Sequence, residues 1–143
     1  MTIVSITSTR MLMAHGFLRR LFEVFERWKT SVDVVTTSEV TVSVTIDDRR
    51  RLPSIVEALS QFAEVEAEHD MAIVCVVGEA LQTDPQLIGQ VLQGVGDIPI
   101  RLVSQAASRS NVTFVIHEDD LPKALQRLHG RFFAPVSAPA GLA

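Results

Sequence analysis

Two segments of this 143-residue chain resemble each other, and this internal repeat limits the folds that the chain can adopt. Residues 40–59 (VTVSVTIDDRRRLPSIVEAL) and 112–128 (VTFVIHEDDLPKALQRL) each predict a strand, an Asp-Asp turn, a Leu-Pro pair and a helix. The pair Leu52-Pro53 recurs as Leu121-Pro122. A unit of about 70 residues, repeated twice, therefore accounts for most of the chain.

The hydrophobic periodicity predicts strand, helix, strand, strand, helix in each half. A final strand is clear at Glu64–His69 and weaker at Arg131–Phe133. This order is the ferredoxin-like plan, an antiparallel sheet with helices on one face. The predicted fold class is α+β, with two ferredoxin-like βαββαβ domains at 1–70 and 71–133. The Ala/Pro-rich segment 134–143 is expected to be a tail or linker.

The alternation of apolar and polar residues in the first half predicts which strand faces are exposed to solvent. Val40, Val42, Val44 and Ile46 alternate with the polar residues Thr41, Ser43 and Thr45, which predicts one buried and one solvated face. The run MAIVCVVG (71–78) is continuously apolar, so we expect that strand, with the lone Cys75, to be buried on both faces.

Composition excludes several classes of function. Hydrophobic residues make up 47%, charged residues 21%, and the net charge is −4, which argues against disorder and against a nucleic-acid partner. No apolar run approaches the roughly 18 residues of a membrane span, and Met1–Arg10 has no signal pattern. A single cysteine permits no internal disulfide. We expect a soluble cytoplasmic protein with no membrane partner.

Metal and nucleophile patterns are weak in this sequence. The four histidines lack metal-ligand spacing, so no metal or cofactor is predicted. Ser104, Ser108 and Ser110 lack a companion base, and no catalytic residue is assigned. The run Arg49–Arg51 permits a phosphate-binding interpretation, although a solvated turn is the simpler one.

The stretch 11–40 carries the candidate site. Gly16 opens an amphipathic helix, and first-turn N–H groups there suit a carboxylate. Asp33, on the strand that follows, is expected to be a buried acid that could hold a cation a few ångströms away. Together they suit an amino acid. The alternatives are a glycine needed only for the helix entry, and a salt bridge from Asp33 to Arg19 or Arg20.

Three motifs carry a resemblance to a known family. MLMAHGFL (11–18), SVDVVTTSEV (31–40) and SQAASRSNVTFVI (104–116) resemble the C-terminal regulatory ACT-domain pair of aspartate kinase, of the lysine-sensitive type. The resemblance runs from about Ile3 to Phe133. It implies a parent enzyme that converts ATP and L-aspartate to 4-phospho-L-aspartate, with a kinase domain that this chain lacks, so the fragment itself would not be an enzyme.

The resemblance also implies a ligand and a partner. Paired ACT domains of this family bind an end-product amino acid, here lysine, for feedback inhibition of lysine, threonine and methionine biosynthesis. The effector lies between the first ACT domains of two subunits, which implies a homodimer. Amides at Gly16–Leu18 would bind its carboxylate, and Asp33 its side-chain ammonium. The implied contact residues are Met11, Gly16, Phe17, Leu18, Ser31, Val32, Asp33, Ser38, Glu39 and Val40.

Two alternatives remain open at this point. Family members carry His-Ser where this chain has Met13-Ala14, which favours a ligand-insensitive dimerisation module. Such a module could belong to a bifunctional enzyme fused to diaminopimelate decarboxylase. An independent ferredoxin-like enzyme such as an acylphosphatase would need an arginine–asparagine loop that this sequence does not display.

Overall fold

The computed structural model describes residues 1–9, 15–105 and 111–133. The chain divides into two compact units, Met1–Met71 and Ala72–Ala143. The predictions for Met11, Met13-Ala14, Ser108, Ser110 and the tail 134–143 lie outside the described residues. None of the helices in the described ranges is long and apolar enough to cross a membrane.

The elements of the first unit follow the predicted order. They are β1 Thr2–Thr7, α1 Phe17–Arg27, β2 Val35–Thr37, β3 Thr41–Ile46, α2 Leu52–Ser60 and β4 Glu64–Glu68. The strands form one sheet in the order β2-β3-β1-β4, and every pair of neighbours is antiparallel. This is the ferredoxin-like topology that the repeat predicted.

The core of the first unit lies between this sheet and its two helices. Alternate residues of β1 and β3, such as Val4 and Val44, are fully buried and meet Leu21 of α1 and Ile55 of α2. The apolar residues of α1 recur every three or four positions, so one face of the helix packs on the sheet. Both helices therefore lie on one face of the sheet, and this packing sets the position of α1.

The second unit has a similar plan with one strand fewer and one short helix more in the residues that the structure describes. Its elements are β5 Met71–Val77, α3 Ala80–Thr83, α4 Pro85–Val95, β6 Leu102–Ser104, β7 Asn111–His117 and α5 Leu121–Phe132. The sheet order is β5-β7-β6. The strand predicted at Arg131–Phe133 was wrong, because α5 continues through Phe132, whose side chain packs against the core as part of the helix.

Two predictions of burial were also wrong. Cys75 is exposed and Val77 is 73% exposed, whereas Val74 and Val76 pack in the core. The apolar run of β5 thus has one buried and one open face, since the helices cover only one side of this sheet. Conversely, Thr45 was assigned to a wet face and is fully buried.

Candidate functional site

The entrance of α1 is built by a glycine in a left-handed conformation. Gly16 has φ 81° and ψ 2°, and it is the N-cap of α1. A side chain at this φ would be strained, which explains why glycine occupies the position. The first helical bond runs from the Arg20 N–H to the Gly16 carbonyl at 3.0 Å. First-turn amides that precede it, at Phe17 and Leu18, have no intrahelical acceptor and can donate to an anion.

The side chains at this entrance point to different environments. Phe17 is only 6% exposed and packs edge-on against Phe62, with ring centroids 5.8 Å apart. Leu18 is 43% exposed. The entrance therefore has a buried aromatic anchor, which holds the helix start, and an exposed apolar side chain beside the amides.

Asp33 differs from its prediction in both structure and burial. The strand begins only at Val35, and the Asp33 carboxylate is exposed rather than buried. Its backbone is nevertheless held, because the Asp33 N–H donates to the Thr45 carbonyl at 2.9 Å. The segment lies along the outer side of β3, at the edge of the sheet, where solvent reaches it. An exposed edge acid carries no desolvation penalty and needs no internal partner.

The alternative considered for Asp33, a salt bridge to an arginine of α1, is not formed in the residues that the structure describes. Arg19 pairs with Glu23, Nε to Oε1, at 3.1 Å. The guanidinium of Arg20 lies over the ring of Phe62, 4.3 Å from its centroid, in a cation–π arrangement. Within the described residues Asp33 has no ion-pair partner, so its carboxylate can accept an external cation.

The segment Ser38–Val40 forms the turn between β2 and β3. The Ser38 N–H donates to the Thr41 carbonyl at 2.8 Å, and the Ser38 hydroxyl accepts from the Thr41 N–H at 3.2 Å. Glu39 is exposed. The Val40 carbonyl accepts from the Ser8 N–H at 2.8 Å, which places Val40 beside the end of β1. The Ser38 side chain is therefore used within the turn.

The structure places the predicted site residues at two ends of the sheet. Thr41 pairs with Thr7 at the end where α1 begins, whereas Thr45, which holds Asp33, pairs with Ile3 near the other end. Four residues of strand span about 14 Å at about 3.4 Å per residue. An extended lysine side chain reaches about 6 Å from standard bond lengths. Gly16 and Asp33 of one chain are thus not the close pair that the sequence predicted.

Thr45 is a residue of this site that the sequence analysis missed. Its hydroxyl accepts from the Val34 N–H at 2.9 Å, its N–H donates to the Val34 carbonyl at 3.0 Å, and its carbonyl holds Asp33. Its position in an alternating strand suggested a solvated hydroxyl, and no local signal marked it as buried. Ser31 and Val32 precede Asp33 in the same irregular segment, and Val32 packs against the core.

The described residues contain no group of three or more His, Cys, Asp or Glu side chains placed to hold a metal ion. The chemistry that the predicted site residues of the first unit offer is therefore that of hydrogen-bond donors at a helix start and, near the other end of the sheet, an exposed carboxylate. These groups are complementary to a ligand with one anionic and one cationic end.

Comparison with known proteins identifies relatives of this chain. Residues 74–132 match the ACT domain family. The chloroplastic aspartokinase 3 of Arabidopsis thaliana is 34% identical over 143 aligned positions, and the match covers 92% of this chain and 25% of the plant protein. This chain therefore spans about a quarter of the length of that relative.

Two solved structures share the fold and about a third of the sequence. A structure named as a C-terminal regulatory domain of aspartate kinase from Porphyromonas gingivalis W83 is 36% identical with a TM-score of 0.81, and the match covers 92% of this chain and 91% of that one. Escherichia coli aspartokinase III in complex with lysine and aspartate is 31% identical with a TM-score of 0.82, covering 92% of this chain and 31% of that one.

Proposed function

Because this chain belongs to the C-terminal regulatory domains of aspartate kinases, we propose that its first unit, 1–70, binds lysine as an allosteric effector. The chain corresponds to the regulatory part of the family rather than to the kinase part. Lysine binding would then inhibit a kinase domain in a longer parent protein. That parent would phosphorylate L-aspartate with ATP.

One observation carries this proposal. In the residues that the structure describes, the first unit offers free N–H donors that suit an anion and a carboxylate without an ion-pair partner that suits a cation. The α1 entrance offers N–H donors and the positive end of a helix dipole to the carboxylate of the effector. Asp33 offers an exposed carboxylate to the side-chain ammonium, with Arg19 and Arg20 engaged elsewhere. The related E. coli aspartokinase III was solved with lysine, which supports lysine as the ligand class.

The separation of the two groups favours a site shared by two chains. Thr41, near the α1 entrance, and Thr45, beside Asp33, are about 14 Å apart along β3. A single lysine is too short to span this distance. We propose that the helix entrance of one subunit and Asp33 of the other contact the same effector, with Ser38–Val40 nearby. The functional unit is then a homodimer through the first ACT domains.

Isothermal titration of the 143-residue chain with lysine, and separately with threonine, tests the proposal. Lysine should release heat and saturate. Asp33→Asn removes the charge without changing shape, and should weaken lysine binding about tenfold or more, since a charge-assisted hydrogen bond is lost. Asp47→Asn is the matched control, because Asp47 is also an exposed acid of the first unit, and it should bind lysine like the unaltered chain.

Analytical ultracentrifugation separates the two candidate functions. A shared site requires that lysine raise the dimer fraction, because a ligand stabilises the species that binds it. A dimer whose mass and melting temperature do not respond to lysine or threonine would contradict the proposal. That outcome would instead support the ligand-insensitive dimerisation module suggested by Met13-Ala14.

Inhibition requires more than binding. A ligand shifts a conformational equilibrium only by its difference in affinity for the two states. The proposal therefore expects lysine to bind more tightly to the inhibited parent kinase than to the active one. A parent kinase whose rate is unaffected at saturating lysine would contradict the regulatory part of the proposal.

A further inference from the structure

A second concave surface lies at the other end of α1. It has a volume of about 520 Å³, within the range of small-ligand sites. Three of its residues, 27–29, lie at the end of α1 and just beyond it, and the other three precede α2. We name it the basic groove, and its lining residues are Arg27, Trp28, Lys29, Asp48, Arg50 and Arg51.

The only acid among these residues is already neutralised. The guanidinium of Arg50 donates hydrogen bonds to the Asp48 carboxylate. Its Nε lies 2.9 and 3.0 Å from the two carboxylate oxygens, and its Nη2 lies 2.6 Å from Oδ2. The side-chain hydrogen bond from Arg50, followed by the Arg50 backbone N–H, lowers the pKa of Asp48 to about 2. Asp48 is thus held chiefly by Arg50, and the charge of Arg51 lowers its pKa further.

Three further cations line the groove. In the described part of the chain, the side chains of Arg27, Lys29 and Arg51 form no ion pair and no hydrogen bond. The chain as a whole carries a net charge of −4. Three unpaired cations about one groove therefore reverse the average sign of the surface, and this attracts small anions.

The arginine run does not stabilise the helix that it precedes. Arg51 is the N-cap of α2, it makes no side-chain capping bond, and the first turn contains no acid. Cations at a helix N-terminus oppose the positive end of the dipole, and acids or capping side chains are favoured there. Arg51 is therefore in an electrostatically unfavourable position for folding, which a bound anion would reverse.

Trp28, one of the lining residues, also has a buried donor without a partner in the described part of the chain. Trp28 Nε1 is buried and has no acceptor among the described residues, although buried indole N–H groups usually have one. The adjacent Lys29 has a φ of 49°, a backbone conformation that residues other than glycine rarely adopt. Two features of this segment are thus suboptimal for folding alone.

We propose that the basic groove binds a small phosphorylated anion with at least two negative charges. The forked guanidinium groups of Arg27 and Arg51 match the spacing of phosphate oxygens, and Lys29 adds a point charge. An adjacent groove shares Arg27 and Trp28 but also contains Glu23 and Glu57. These acids repel an extended polyanion, so the ligand is compact rather than a nucleic acid.

Fluorescence of one residue tests this site directly. Trp28 is the only tryptophan and the chain has no tyrosine, so intrinsic emission reports on this one residue, and the variants below assign a change to the basic groove. The 143-residue chain is titrated with pyrophosphate, which does not absorb, at constant ionic strength. The same titration with ATP, excited at the red edge of tryptophan absorption, tests a nucleotide source of the phosphate. The expected result is a saturable change in Trp28 emission.

Variants identify the groups that bind. Arg51→Gln and Lys29→Asn should each weaken pyrophosphate binding about tenfold, the loss expected for one charge-assisted contact. Asparagine tolerates the positive φ of position 29, so this variant keeps the backbone. Arg49→Gln is the matched control, since Arg49 belongs to the same run, is exposed and does not line the groove. It should change affinity less than about twofold.

Three results would overturn the proposal: emission that does not saturate with pyrophosphate or ATP, potassium chloride of equal ionic strength reproducing the change, or Arg49→Gln weakening binding as much as Arg51→Gln. The test is independent of the lysine proposal, because Asp33→Asn should leave pyrophosphate binding unchanged.

Discussion

Gly96 provides a sharp test of how the second unit is held together. It ends α4 with φ 73° and ψ −128°, a conformation suited to glycine. A Cβ added there would lie 2.8 Å from Nη1 of Arg127. The same Nη1 donates to the Val95 carbonyl at 2.8 Å and to Asp97 Oδ1 at 2.7 Å. Gly96→Ala would therefore strain the backbone and displace the guanidinium that joins α5 to α4.

The magnitude follows from two contributions. A side chain forced into a sparsely populated backbone region costs about 1–3 kcal/mol. The partly buried hydrogen bond from Arg127 to Val95 contributes about 1 kcal/mol. The Asp97 side chain is 82% exposed, so its ion pair with Arg127 adds little. We expect Gly96→Ala to lower the free energy of unfolding by about 2–4 kcal/mol.

A double-mutant cycle separates these contributions. Urea unfolding followed by far-UV circular dichroism is measured for Gly96→Ala, Arg127→Ala and the double variant. The two changes should couple by about 1 kcal/mol, because the double variant has only one hydrogen bond to lose. Gly130→Ala is the control, since nothing lies within 4 Å of its added Cβ and it should not destabilise α5. A Gly96→Ala effect below about 0.5 kcal/mol would refute the argument.

Further outcomes follow from the described contacts. Arg50→Gln should raise the pKa of Asp48 from about 2 towards its ordinary 3.8 in an NMR titration, without reaching it, because the backbone N–H of residue 50 still donates and Arg51 remains. Because folding lowers this pKa, the stability it contributes is complete above pH 3.8 and is lost as the pH falls towards 2. Native Cys75 should react with a thiol reagent within about tenfold of its denatured rate, and a protected thiol would contradict its exposure. Ile55→Ala, at a fully buried position, should cost about 2–5 kcal/mol by urea unfolding, whereas exposed Val35→Ala should change stability by less than about 0.5 kcal/mol.

The strands and helices of the first unit were predicted well from the sequence because each main element has one solvent-exposed side. Alternation in β3 and helical spacing in α1 both indicate one buried face, and the observed strands and helices follow that pattern. The second unit was harder. Apolar residues at Phe132 and Phe133 are compatible with a short strand or a helix end, and only tertiary packing of Phe132 settles the choice.

Burial could not be predicted where it depends on what covers a sheet. The apolar run around Cys75 gives no information about the number of packed layers, so an open face was taken for a buried one. The hydroxyl of Thr45 posed the opposite problem, because a buried threonine and a solvated one have the same pattern in sequence. In β3 the alternation was correct and the environment of Thr45 was not, whereas in β5 the sequence showed no alternation at all.

The candidate site shows why spacing along the chain is a poor guide to distance. Gly16 and Asp33 are joined by α1, and a helix of 11 residues carries the chain about 16 Å at about 1.5 Å per residue. The glycine and the acid therefore lie towards opposite ends of the unit. Under the proposed function a lysine that contacts both groups must join two chains. Its apparent affinity then rises with protein concentration until the dimer is saturated, whereas a site within one chain would bind lysine equally at every concentration.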